Sequence, residues 1–244
     1  MARRSRAASP PPQFSSLPGA RQYRRAHRLV RRYVPAGATV LDWGTGNGHF
    51  SYFLRDAGYR PTGFAIEGHS QAAWLDEPDE VFVAGDTSEP VRLPFPDASF
   101  DAVASIGVLE HVRETGGSEA ASLGEIARVL RPGGVFVCFH FPNRWSWIDF
   151  VASRVPGKHH HLFRFGRADV RRLVAGAGLD LVELQRYALL PRNGLGRLPA
   201  PLAGSHRLAD AWDVLDAALG MLLSPLCQNW AFVAMRQVKD SCSC

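Results

Sequence analysis

The sequence of 244 residues predicts an α/β fold: a single domain on a doubly wound, seven-stranded, mostly parallel sheet. Three observations predict it. Hydrophobic residues make up 46% of the chain, enough for a sizeable core and incompatible with wholesale disorder. From Ala38 onward, short apolar runs alternate with segments of helical period, as in strands joined by crossover helices. The first run, ATVLDW, ends in an acid and leads directly into a glycine loop and a helix.

Each element follows in order. Residues 1–20, MARRSRAASPPPQFSSLPGA, are rich in Arg, Ser and Pro and predict a flexible basic tail; their PPP run excludes the amphipathic helix of a transit peptide. The folded domain is expected over 21–238 and a mobile end over 239–244. In RQYRRAHRLVRRYV, Tyr23, Leu29, Val30 and Tyr33 share a helical face, and Pro35 with Gly37 stops the helix. After the first strand come a helix over Gly48 to Ala57, a strand over Arg60 to Ile66, a helix near Ser70 to Leu75 and strands over Glu80 to Ala84 and Phe100 to Ser105. A helix over Glu119 to Leu130 ends in Pro132-Gly133-Gly134, and GVFVCFH follows as the fifth strand. Residues 142–178 hold an irregular aromatic stretch and the helix Arg167 to Ala177, and are expected to cover the substrate. Strands over Leu179 to Tyr187 and Asn229 to Arg236 complete the seven. Between them, Leu208, Trp212, Leu215, Leu219 and Leu222 recur at helical spacing while Asp210, Asp213 and Asp216 fall elsewhere, which predicts a helix packed on the domain by its leucines.

Charge and cysteine usage exclude several classes. Lys and Arg number 28 against 23 Asp and Glu, yet residues 1–37 hold nine Arg and no acid; the remaining 207 residues therefore carry 19 basic and 23 acidic groups. The folded body is net acidic, so no nucleic-acid partner is expected. Four cysteines, Cys138, Cys227, Cys242 and Cys244, form no disulfide framework or zinc spacing. A reducing, cytoplasmic setting is expected. Apolar runs break well before the length of a transmembrane helix.

The loop VLDWGTGNGHF sets Gly44, Gly46 and Gly48 between strand and helix, where glycines let a ligand approach backbone N–H groups. A purely structural tight turn is the alternative. Dinucleotide sites favour G-x-G-x-x-G, whereas here Asp42 precedes the first glycine by two residues. A carboxylate there suits an ammonium and repels phosphate. A ligand joining adenosine to a cationic amino acid fits.

Three stretches in succession, VLDWGTGNG, PFPDASFDAVASIGVLEHV and IARVLRPGGVFV, resemble the motifs of the class I S-adenosylmethionine-dependent methyltransferases, in the small-molecule branch that includes quinone and natural-product methylating enzymes. The resemblance spans residues 38–187 and implies a Rossmann-like fold with S-adenosylmethionine as cofactor. It implies that Asp42, Gly44, Thr45 and Gly46 hold the methionine end, that Asp86 and Thr87 sit at the adenine, and that Ile106 at the end of the fourth strand joins the cofactor contacts. One departure stands out. In PTGFAIEGHS, Ala65 occupies the place of the acid expected to grip the ribose; Glu67, on the same face of the strand, is the replacement expected, and a solvated helix-capping acid is the alternative.

The sulfonium already makes the methyl electrophilic, so the protein must orient a nucleophile and exclude water. Methyl transfer to a small organic acceptor, at oxygen and without metal, is the expected activity. Histidine is the natural general base, and His111 after the fourth strand, His140 at the end of the fifth and His161 in GKHHHLFRF are the candidates. The alternative for each is a structural role. Three adjacent histidines cannot converge on one ion and no acidic partner flanks them, so no metal is expected. Aromatics from Phe141 to Phe165, interleaved with Arg144, Arg154, Lys158 and Arg164, suit a planar or lipid-like acceptor or else simply cover the sheet edge. A nicotinamide-dependent reductase would want a Tyr-x-x-x-Lys pair, which is absent. A catalytically silent cofactor-binding protein is the remaining alternative, kept open by Ala65.

Overall fold

The computed structural model describes residues 14–66, 81–192 and 194–238. Its centre is a seven-stranded sheet in the order β3-β2-β1-β4-β5-β7-β6. The strands are β1 (Thr39–Trp43), β2 (Arg60–Ile66), β3 (Val81–Gly85), β4 (Phe100–Ile106), β5 (Leu130–Pro142), β6 (Leu179–Tyr187) and β7 (Asn229–Arg236). All pairings from β3 to β5 are parallel, and β7 runs antiparallel to both β5 and β6. The expected mostly parallel, doubly wound sheet is what the chain forms.

Eight α-helices are described: α1 (Leu17–Arg21), α2 (Tyr23–Tyr33), α3 (His49–Asp56), α4 (Glu119–Val129), α5 (Trp147–Ala152), α6 (Arg167–Gly176), α7 (Ala200–Ala203) and α8 (His206–Leu222). Two apolar clusters fill the two faces of the sheet. Phe50, Phe53, Leu54, Leu29 and Val30 pack with Phe139 on one side, and Leu123, Ile126, Phe136, Phe141, Trp230 and Phe232 on the other. Fully burying side chains of this size contributes roughly 1.5–3 kcal/mol apiece. Both faces of the central strands are covered, which is why β5 reads as an unbroken apolar run rather than an alternating one.

Three departures from expectation have physical causes. Strand β5 begins at Leu130, not Gly134: Leu130 pairs with Phe100, Pro132-Gly133-Gly134 loops out, and pairing resumes at Ala102 with Val135. Gly133 has φ +76°, which the loop requires. The body also includes residues assigned by composition to the tail. Ser16, within that stretch, caps α1 by accepting from the Gly19 N–H, and Arg21, the first residue of the expected domain, is buried against Asp210 of α8. Residues 1–13 and 239–244, the helix expected near Ser70 to Leu75, and Glu67 lie outside the described residues.

Helix α8 departs most. Ala209 is its buried residue, while Leu215 and Leu222 are exposed. Asp213 and Asp216 turn inward instead, 2.7 and 3.0 Å from the guanidinium of Arg192, whose side chain is only 8% exposed. Arg192 also donates to the Pro18 carbonyl of α1. The helix is held by a buried ionic seam as well as by apolar contact. Removing Arg192 leaves Asp216 nearly buried and without its cation, so Arg192→Ala is expected to cost about 3 kcal/mol in urea denaturation. Arg92→Ala, which breaks the exposed pair with Glu89, is expected to change stability by less than about 1 kcal/mol.

Candidate functional site

The glycine loop bends because the carbonyl of Phe64 on β2 accepts from both the Gly44 and Thr45 N–H groups, and Thr45 accepts from Gly48. Gly44, Gly46 and Gly48 all lie in the left-handed region, with φ of +77°, +52° and +76°. At Gly44 a Cβ would also stand 2.3 Å from a methyl of Val108 in the loop after β4. The turn therefore needs glycine for two independent reasons.

Asp42, at the end of β1, is buried, and its Oδ2 accepts from Thr45 Oγ1 at 2.8 Å and Ser51 Oγ at 2.6 Å. Burial pushes its carboxyl up, and the hydroxyl donors of Ser51 and Thr45 oppose that rise. The loop is thus fastened to β1 and α3 through one carboxylate. Ile106 ends β4 beside this loop. Asp86 and Thr87 lie exposed just after β3, where Oδ1 of Asp86 accepts from the Ser88 N–H and hydroxyl, both at 2.7 Å. Those bonds hold its carboxyl below the usual range.

At the carboxyl ends of β4 and β5 a polar cluster gathers. His140 occupies an irregularity in the pairing of β5 with β7 and has φ +73°, a conformation uncommon for a residue with a Cβ. Its backbone N–H donates to Tyr187 Oη, its Nδ1 lies 3.0 Å from the same oxygen, and burial pushes its imidazole down to about 3. It is neutral throughout the ordinary pH range. His49 is similarly pushed down to about 4 by burial, with His27 adding repulsion.

His161 is different. Its Nδ1 lies 2.9 Å from Oδ1 of Asp149, a carboxylate that also accepts from the Ser146 hydroxyl and from the His161 N–H. Burial acts to raise the Asp149 carboxyl, but the hydrogen bonds from His161 and Ser146 outweigh it and hold it near 2. A charged carboxylate orients this imidazole and leaves Nε2 free, the arrangement of a general base. His111, half-exposed, turns its Nδ1 to Glu114 at 2.8 Å. The rings of His111 and His161 are 6.0 Å apart.

Between them stands Glu110, which the sequence reading passed over. It follows β4 in a 3-10 helix, Leu109–Thr115, entered through Gly107 at φ +78°. Its Oε2 is buried and has no hydrogen-bond partner among the described residues. Burial pushes its carboxyl up to about 8, and Glu114 adds to the rise. Its signal in the sequence was an acid adjacent to the histidine in VLEHV. No acid flanks the histidine run in the chain, but the fold brings Glu110 to within 4.8 Å of donor atoms of His111 and His161. Glu110 also faces Tyr23, whose phenol is raised to about 12 by burial first and Glu110 second.

Comparisons with known proteins agree with this geometry. Residues 41–138 match the family model described as a methyltransferase domain. A probable S-adenosylmethionine-dependent methyltransferase of Mycolicibacterium smegmatis is 32% identical over 205 residues, covering 78% of this chain and 74% of that one. The chain belongs to the S-adenosylmethionine-dependent methyltransferases. A demethylmenaquinone methyltransferase of Beutenbergia cavernae is 38% identical over 122 residues, 48% of this chain and 45% of that protein. Among solved structures, a Haloferax volcanii methyltransferase in complex with a methyltransferase activator superposes with a TM-score of 0.61 at 25% identity, covering 90% of this chain and 92% of that one.

The enzyme is therefore an S-adenosylmethionine-dependent methyltransferase with S-adenosylmethionine as its cofactor. Two outcomes follow from its geometry. Gly44→Ala is expected to abolish cofactor binding in a calorimetric titration, and Val108→Ala on that background to restore it only in part, because the strained φ remains. The second concerns acid. His140, His49 and His27 are all depressed in the fold, to about 3, 4 and 4, below the ordinary 6.5. The unfolded chain takes up these protons near pH 6.5 and the folded chain only near 3 to 4. Their contribution to stability is complete above pH 6.5 and is lost as pH falls, each of these half-buried histidines contributing up to about 1.4 kcal/mol per pH unit. Thermal melts between pH 7 and 4.5 are expected to show this slope, and His27→Phe, which preserves the stack on Phe53, to make it shallower.

Proposed function

We propose that the enzyme methylates an oxygen of a small, largely apolar acceptor, with the proton-accepting groups drawn from the cluster that faces the glycine loop. The observation that carries this reading is the Asp149–His161 pair: a buried, charged carboxylate holding an imidazole whose other nitrogen is free. A neutral hydroxyl is a poor nucleophile and gains from such a base, whereas a carboxylate acceptor needs none. His111 belongs to the same rim. His140, buried and bound to Tyr187, serves to shape the pocket floor.

The cofactor binds, in this reading, across the loop at Gly44, Thr45 and Gly46. Asp42 acts through the loop it fastens, Ile106 borders it, and Asp86 and Thr87 receive the adenine end. Glu67 is assigned to the ribose, since Ala65 is buried in β2 and carries no polar atom. The electrophile is the methyl on sulfur. Bound there, S-adenosylmethionine would supply that methyl with its sulfur leaving as a neutral thioether, while His161 would take the proton of the acceptor hydroxyl whose oxygen forms the new bond.

The acceptor class follows from the mouth of the site. Residues 142–166 form a flap pinned at both ends: the Phe165 N–H donates to the Pro142 carbonyl, the Arg144 N–H donates to the Phe165 carbonyl, and Trp147 Nε1 donates to the Leu189 carbonyl. The flap leaves Trp145 63% and Leu162 79% exposed, with Phe150 and Phe163 also open. Apolar surface of that kind suits an aromatic or lipid-like acceptor. Relatives named as demethylmenaquinone and 2-methyl-6-phytyl-1,4-hydroquinone methyltransferases support the same class.

The test is transfer of labelled methyl from S-adenosylmethionine to a panel of phenols, quinols, fatty acids and amines. O-methylated product from the hydroxyl compounds is expected, and label recovered only on nitrogen or carbon would overturn the reading. His161→Ala is expected to lower kcat by about 10²-fold or more while leaving cofactor affinity within a factor of about two.

A further inference from the structure

We propose that Glu110, His111 and His161 bind one divalent first-row transition ion, of the Mn²⁺, Fe²⁺, Co²⁺ or Zn²⁺ kind, at the mouth of the methyl-transfer site. Each residue offers one donor atom, and the three atoms lie within 4.8 Å of one another. Ligands about 2.1 Å from a common ion stand roughly 3–4 Å apart, so side-chain rotations of about 1 Å would close the set.

The surroundings of the three donors are those of a ligand set. Both imidazoles have Nδ1 committed to a carboxylate, His111 to Glu114 at 2.8 Å and His161 to Asp149 at 2.9 Å. A carboxylate behind Nδ1 fixes the tautomer that turns the Nε2 lone pair outward, as found behind metal-bound histidines. Two such pairs converge here from separate segments, the 3-10 turn after β4 and the flap between α5 and α6.

Glu110 supplies the independent observation. It is 7% exposed, and its Oε2 is buried without a donor among the described residues. Among the described residues no ion pair reaches it: Oε1 stands near the Gly107 and His140 side of the pocket, and burial holds the His140 ring neutral. An orphaned buried acceptor costs on the order of 1–3 kcal/mol, a penalty that a coordinated ion removes. Phe163 lies over Arg113, so that guanidinium is held at the outer edge with Glu119 rather than turned toward Glu110.

Two imidazoles and one carboxylate on one side of an ion select a borderline transition metal over Mg²⁺ or Ca²⁺, which prefer oxygen throughout. Such a set leaves coordination positions open toward the pocket. With the ion bound, His161 Nε2 is a ligand rather than the base, and the ion takes over activation of the acceptor: a hydroxyl bound there becomes more acidic, its proton passing to solvent, and its oxygen is placed for attack on the methyl. That role rests on the methyl-transfer reading; the ion site itself does not.

The experiment uses the full-length protein stripped with chelator and dialysed, without cofactor or acceptor. Co²⁺ titration followed by visible absorption, and Mn²⁺ titration followed by loss of free-ion electron paramagnetic resonance signal, are expected to saturate at one ion per chain. Glu110→Gln and His161→Asn are each expected to weaken binding at least tenfold, with melting temperature showing that the variants fold. His111→Asn, at a half-exposed position, repeats the test where folding is not at risk. Asp149→Asn, which touches no ion, is expected to weaken binding by roughly tenfold through His161. No saturable binding, or binding unchanged in both His111→Asn and Glu110→Gln, would overturn the proposal. Separate calorimetry with S-adenosylmethionine reports the cofactor site, so loss of the ion site and failure of the methyl-transfer reading give different results.

Discussion

The buried carboxylate of Asp42 is the constraint on which the site depends. A carboxylate removed from water costs several kcal/mol unless hydrogen bonds replace its hydration. Here the replacements are the hydroxyls of Thr45, in the loop, and Ser51, in α3, and their own contact at 2.9 Å closes a triangle. Strand, loop and helix are therefore joined at one point. The same triangle explains Gly63 on the neighbouring strand, where a Cβ would come within 3.2 Å of Thr45 Oγ1. A loop fastened in this way, with its Gly44 and Thr45 N–H groups tied to the Phe64 carbonyl, holds one shape before a ligand arrives, which lowers the ordering cost that a mobile loop would incur.

Around that point the molecule separates two kinds of titratable group. Those deep at the ends of β4 and β5 are kept neutral by burial: His140 is depressed, Tyr23 and Tyr187 are raised, and the carboxyl of Glu110 is raised toward neutrality. Those nearer the mouth, His111 and His161, stand against carboxylates and keep solvent access. The interior at His140, Tyr23 and Tyr187 is thus a low-dielectric floor, and Glu110 stands where that floor meets the rim of His111 and His161 to which proton or ion chemistry is confined. A water-poor floor of this kind strengthens the electrostatic interactions made at its edge.

The sheet was legible in the sequence because its central strands are buried on both faces and read as short apolar runs; all seven strands lie where the sequence predicts them. The strand ends and the irregular features were less so. The early start of β5 depends on Leu130 pairing with Phe100 across a glycine loop, a match between segments that no local pattern encodes. The site was legible in part. The turn chemistry of Gly44, Gly46 and Gly48 is local, and so is the acid before it. His161 could be singled out, but its partner Asp149 is twelve residues away in another element, and Glu110 gains meaning only from burial and from what faces it. Pairings of this kind are set by tertiary packing. The same cause hid the true orientation of α8, since leucine periodicity took no account of two arginines arriving from distant segments.

That orientation also changes the meaning of the chain's charge. The arginine surplus of the first 37 residues and the acid surplus of the body are not two independent surfaces. Arg21 reaches Asp210 and Asp213, and Arg192 reaches Asp213 and Asp216, so part of the body's acid content is consumed in binding its own leading helix. Buried arginines cannot be left unpaired, and a seam with Asp213 and Asp216 turned inward satisfies them better than a leucine face could. The cost appears on the outside of α8, where Val214, Leu215, Met221 and Leu222 remain exposed. Net charge alone would assign the N-terminal arginines to an external polyanion, whereas the contacts made by Arg21 assign at least that one to holding α1 and α8 together.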